Sequence, residues 1–182
     1  MTVSRVALAV AGLLTALLLQ ASLIGPLTFP VPVSLPVVLV IVVAIYAGPG
    51  IGMGLGFTTG LVADLGSDNP AGVQALCWMA AGLVGGIVGG LATQRGYGNR
   101  GVAAVTAVLG ALSSLVVGVL LAILGSHAAT AAVAFRDVIP VGLTEALVAF
   151  VAAPVVRKLL LAQGIRSPRP VAHLIGRPDV LR

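Results

Sequence analysis

"VVLVIVVAIYAGPGIGMGLGFTTGLVADL" (Val37–Leu65) is apolar throughout but broken by "AGPGIGMG" at Ala47–Gly54. Read through the break, it is one long span with a kink. Read as interrupted, it is two short spans joined at Gly48-Pro49-Gly50. A helix needs about 20 apolar residues to cross a hydrocarbon core of roughly 30 Å. The number of crossings, and the side on which the N-terminus falls, both depend on the choice.

Composition makes the bilayer the solvent. The 182-residue chain is 59% hydrophobic and 8% charged, with a mean hydropathy of +1.16. Soluble domains carry roughly 25% charged residues, so a water-facing surface cannot be built from this inventory. The fold class is an all-α integral membrane protein. The single cysteine, Cys77, lies in an apolar run, which excludes an intrachain disulfide. The net charge of +5 does not indicate nucleic acid, because the basic residues gather at span ends and in the C-terminal tail.

Working outward, Val6–Ile24 follows Arg5 and is longer than a signal-peptide core, so it reads as a first, retained span. "GPLTFPVPVSLP" (Gly25–Pro36) carries four prolines and reads as an outer loop or interfacial segment. Further spans fall at Val73–Ala92, Gly101–Gly125 and Val138–Val156. The basic loop "TQRGYGNR" (Thr93–Arg100) and the tail from Arg157 belong in the cytoplasm, which puts "GSDNPAG" (Gly66–Gly72) outside. If Val37–Leu65 is two spans, Arg5 is also inside, and only Arg136 of the ten Lys and Arg residues is external. The expectation is a bundle of about six helices over residues 1–162 with both ends cytoplasmic. A basic, proline-containing tail follows at 163–182. Val37–Ala47 is the strained part, since it gives only about 16 Å of helix.

Glycines mark the packing. Gly48, Gly52, Gly56 and Gly60 recur every four residues, as do Gly82, Gly86 and Gly90. Such rows let helix backbones approach closely in lipid, where burial of apolar surface no longer drives association. Spans three and four are therefore expected near the centre of the bundle.

Two acids stand out. Asp64 continues the Gly52–Gly56–Gly60 ridge near the outer end of span three. It is either a hydrated interfacial acid, accepting hydrogen bonds from Ser67 or Asn69, or a group aimed into the bundle or at a partner. Glu145 lies about 10 Å of helix below Val138 and should face the bundle interior, paired or protonated. Its candidate partners are Thr144 and, from other spans, Gln20, Gln74, Thr58, Thr59 and Thr106. Proton or solute coordination is the functional alternative.

Catalytic, cofactor and metal constellations are missing from the sequence. His127 and His173 fall on opposite sides of the expected topology, and no metal-ligand spacing occurs. "GPGIGMG" lacks both the preceding strand and the Gly-Lys-Ser/Thr ending of a phosphate loop. No enzyme is implied.

Gly52–Leu76, read with six short spans and a basic cytoplasmic end, resembles the MreD family of bacterial rod shape-determining membrane proteins. The matching positions are Gly56, Phe57, Gly60, Leu61, Asp64, Gly72, Ala75 and Leu76. "LLLQASLIG" (Leu17–Gly25) looks like that family's first span, and the likeness extends from Val6 to about Leu161. Val37 after Pro36, Gln74 and the long tail depart from the pattern. The resemblance implies a non-enzymatic scaffold of the cell-elongation complex. Its expected partners are MreC, a RodA-type glycosyltransferase, a class B penicillin-binding protein and, on the cytoplasmic face, MreB. It also implies a fold similar to the substrate-binding subunits of energy-coupling-factor vitamin transporters, which supplies the rival function. On the scaffold reading, Asp64, Ser67, Asp68 and Asn69 form an outer helix-end structure that contacts a partner or holds the turn.

Overall fold

The computed structural model describes residues 34–67, 70–94, 98–125 and 131–162. The expected first span, Val6–Ile24, and the tail at 163–182 lie outside them. Five helices follow in order: α1 (Leu35–Ala47), α2 (Pro49–Leu65), α3 (Val73–Gln94), α4 (Asn99–Ile123) and α5 (Ala131–Ala162). The described residues contain no strand. Among the described residues, three segments are long and apolar enough to cross a membrane: Val73–Leu91, Asn99–Ile123 and Val138–Ala162.

Val37–Leu65 is two helices folded back on each other. Gly48 separates them at φ 97° and ψ 168°, a conformation open to glycine but costly for residues with a Cβ. Pro49 then opens α2 with its φ already set for a helix. The neighbours confirm the reversal. A Cβ on Gly52 would collide with the Ala44 side chain, and Gly82 faces both Gly52 and Val40. Gly86 meets Gly48 and Pro49, and Gly89 meets Ile45. Thus α1 runs parallel to α3, and α2 runs antiparallel to both.

The centre of the bundle is α1, not the glycine-rich pair expected there. Val38, Val40, Ile41, Val42 and Ala44 are fully buried, and α1 packs against α2, α3, α4 and α5. Helix α2 instead turns Met53, Phe57, Leu61, Val62 and Leu65 outward. Its buried glycines, Gly52, Gly56 and Gly60, line the face toward α3 and α1, whereas Gly50 and Gly54 meet open space. The physical reason is that an all-apolar helix such as "LPVVLVIVVAIYA" fits a protein core as readily as lipid. Its length, about 20 Å at 1.5 Å per residue, is short for a bilayer and is tolerated because other helices surround it.

Gly90 does not take part in the close approach. A Cβ there would enter open space, because α2 begins at Pro49, opposite Gly86, and nothing of α2 remains beyond it. Gly85 and Gly89 contribute instead, lying against Ile41 and Ile45 of α1.

Candidate functional site

The α2–α3 hairpin closes at its connecting turn on one carboxylate. Asp64 sits in the last turn of α2 and is 2% exposed. Its Oδ2 accepts hydrogen bonds from the backbone N–H groups of Gly72 (2.9 Å) and Ala75 (3.0 Å). Its Oδ1 accepts from the N–H of Gln74 at 3.1 Å. These donors belong to the first turn of α3 and the residue before it, groups that a helix leaves without internal partners. Asp64 therefore caps α3 from the end of α2. The C-terminal dipole of α2 disfavours an anion there, while the N-terminal dipole of α3 and three oriented N–H groups favour it.

The backbone of Asp64 is held as well. Its carbonyl accepts from the Ser67 N–H (3.2 Å) and from the Ser67 hydroxyl (3.1 Å), which satisfies an end carbonyl of α2. Gly72, at φ 100°, makes the turn into α3. Asp68 and Asn69 lie outside the described residues. Asp64 is thus not the hydrated interfacial acid of the first reading, and its carboxylate donors come from backbone rather than from Ser67.

Below the cap, the hairpin is a backbone-to-backbone seam. A Cβ on Gly60 would strike Ala75, one on Gly56 the Trp78 carbonyl, and one on Gly52 the Gly82 carbonyl. Each of these glycines admits a helix at a distance that alanine would forbid.

Glu145 lies elsewhere, near the middle of α5, and is fully buried. Its carboxyl occupies a notch at Gly110 of α4, where any Cβ would collide with it. Both carboxyl oxygens lack a hydrogen-bond partner. Three of the four threonines expected as partners are engaged elsewhere, and no hydrogen bond joins the fourth, Thr59, to Glu145. Thr144 donates to the carbonyls of Pro140 and Val141, Thr106 to that of Val102, and Thr58 to those of Gly54 and Leu55. Gln74 serves Asp64 through its backbone, and Gln20 is outside the described residues.

A lateral groove of about 290 Å³ runs between α3 and α4, lined by residues that include Cys77, Ala80, Ala81, Leu109, Leu112 and Ser113. Among the described residues, no group of three or more His, Cys, Asp or Glu side chains is placed to hold a metal ion.

A family model for the rod shape-determining protein MreD matches residues 3–162. The chain belongs to the MreD family. That span includes every described element, the Asp64 cap and Glu145. No curated protein and no solved structure matches the chain. Membership assigns a role in rod shape determination within a family of shape-determining structural membrane proteins, which is not a known enzyme family.

Sequence reasoning missed three features of this region. Gly72, Gln74 and Ala75 act through backbone N–H groups, which no residue letter encodes. Only the turn signal Pro70-Ala71-Gly72, ahead of an apolar run, hinted that a helix start lay within reach of Asp64. No sequence pattern marks Gly110 as the notch for Glu145. Gly85 and Gly89 fall outside the four-residue row that starts at Gly82, so that pattern does not mark them.

Proposed function

We propose that this MreD-family protein is a membrane scaffold of the cell-elongation complex. It binds MreC and helps position a RodA-type glycosyltransferase and a class B penicillin-binding protein, with MreB on the cytoplasmic side. The full chain on this reading has six spans and cytoplasmic termini, in a fold similar to the substrate-binding subunits of energy-coupling-factor transporters. The observation that carries the reading is the family match over residues 3–162.

The hairpin geometry supports it. A scaffold has to present a fixed surface, and the glycine seam with its Asp64 cap fixes α2 on α3 without flexible side chains in between. The outward face of α2, with Met53, Phe57 and Leu61, is then held rigidly for a neighbouring transmembrane helix. Asp64 and Ser67 act by holding the turn, and through it any outer contact made by Asp68 and Asn69. The importer alternative calls for a cavity with polar and aromatic groups to grip a vitamin. The α3–α4 groove offers carbon walls with Ser113 and Cys77.

The test is purification of the tagged protein in mild detergent, with identification of the proteins that accompany it. MreC together with a RodA-type synthase supports the scaffold. A transmembrane coupling subunit with paired ATPases would replace it with the importer.

A further inference from the structure

Glu145 is the only glutamate of the chain, and the Asp64 cap does not involve it. It is fully buried, with neither carboxyl oxygen hydrogen-bonded. Helix α5 packs against α4 and α1, and among the described residues neither helix brings it a charge. On α4 the one titratable group is Arg100, ten residues before Gly110 and so about 15 Å along the helix. On α1 it is Tyr46, which lies near Arg157. Along α5 itself, Asp137 and Arg136 are eight and nine residues back, and Arg157 and Lys158 twelve and thirteen ahead. The nearest of these cations is about 13 Å away along the axis. An isolated carboxylate in such surroundings costs far more than the neutral acid, and the group takes up a proton instead. An apolar side chain of similar volume would fill the notch at no such cost, which leaves the proton as what the carboxyl adds.

We propose that Glu145 is a proton-binding site, and that α4 packs on α5 in this register only while the proton is held. The inference does not depend on which partners the bundle binds. The geometry supplies the coupling. A Cβ on Gly110 would collide with the carboxyl, so the group lies directly against α4, without space for the hydration shell that an anion requires. One turn away the two helices are equally close. A Cβ on Gly142 would lie 3.3 Å from the Ala111 side chain and 3.5 Å from the Ala107 carbonyl. The buried α4 hydroxyls on either side of Gly110 do not compensate. Thr106 donates to the Val102 carbonyl, and Ser113 makes no hydrogen bond to the acid. The step is the loss of one proton from the carboxylic acid to water, leaving the carboxylate. Water must then solvate the anion, and it reaches the group only if α4 and α5 part at Gly110.

The test reads the proton and the helix packing separately, in the full-length protein in phospholipid vesicles. Because Glu145 is the sole glutamate, cell-free synthesis with glutamate isotope-labelled at its side-chain carboxyl carbon marks this group alone. The infrared difference between labelled and unlabelled protein isolates its carbonyl stretch. At neutral pH the expected signal is that of a carboxylic acid, replaced by carboxylate bands as the pH is raised. A carboxylate signal at neutral pH would overturn the proposal. So would an acid signal that survives at every pH at which the protein stays folded. For the packing, Ala111→Cys and Gly142→Cys are combined with Cys77→Ala, and disulfide yield is measured under a fixed oxidant. The two Cβ positions are close enough to be bridged. Glu145→Gln in the same background is the reference, an amide of the same shape that cannot ionise. With Glu145 intact, the yield should match the reference at neutral pH and fall several-fold below it where the acid signal is lost. Equal yields across the titration would refute the link between the proton and the packing of α4 on α5.

Discussion

Replacing Asp64 with alanine removes three hydrogen bonds at once, and the structure sets the expected loss. The Ala75 N–H is buried, so stranding it costs about 1–3 kcal/mol. The bonds from Gly72 and Gln74 are half-buried and contribute about 0.5–1.5 kcal/mol each. Together these give about 2–6 kcal/mol, with ~3 kcal/mol a working value. For a chain of this size that corresponds to a fall of roughly 6–12 °C in the thermal midpoint. Trp78, the only tryptophan, is the natural reporter, because its backbone lies against Gly56 across the same seam. Its fluorescence during heating in detergent therefore follows the hairpin itself. Asp64→Asn should cost less, about 1–2 kcal/mol, since one oxygen remains an acceptor while the amide nitrogen faces a donor. On the scaffold proposal, MreC recovery should fall in the same order, least for Asn and most for Ala. An alanine variant within about 0.5 kcal/mol of wild type would refute the cap as the closure of the hairpin.

Other positions give sharp contrasts. Gly56→Ala should destabilise by about 1–3 kcal/mol, since its Cβ must displace the Trp78 carbonyl, whereas Gly90→Ala should stay within about 0.5 kcal/mol; thermal midpoints compare the two. Gly110→Ala should be damaging alone and partly rescued by a second change, Glu145→Ala, which vacates the notch; the double variant melting above the single one is the signature. Glu145→Gln should leave abundance and cell shape unchanged if the carboxyl is structural, while normal abundance with loss of shape would mark a charge-dependent role. Cysteines placed at Ser67 and Ser126 should label from outside intact cells and one at Gly98 should not, which checks the orientation.

The break at Gly48 was legible because Gly-Pro joins a residue free to take positive φ to one preset to open a new helix, and the structure folds back there. The glycine ridge Gly52–Gly56–Gly60 was legible because small residues four apart have few uses in lipid other than close approach. The place of α1 was not. A run such as "VVLVIVVAIY" carries no signal that separates a protein neighbour from a lipid one, so only tertiary contacts reveal that it lies at the centre. Asp64 could be placed at a helix end by position, but its burial depended on a neighbouring helix start offering three N–H groups. Glu145 was recognised as costly in lipid, and its notch at Gly110 arises from the register between α4 and α5, which one chain's letters do not fix.

The most direct test of the scaffold account is affinity purification of the tagged protein from its host membranes, with mass spectrometry of its companions. The account predicts MreC together with a RodA-type synthase, reduced in the Asp64→Ala variant at equal abundance. Recovery of a transporter's coupling subunit and its ATPases, with no MreC, would contradict it.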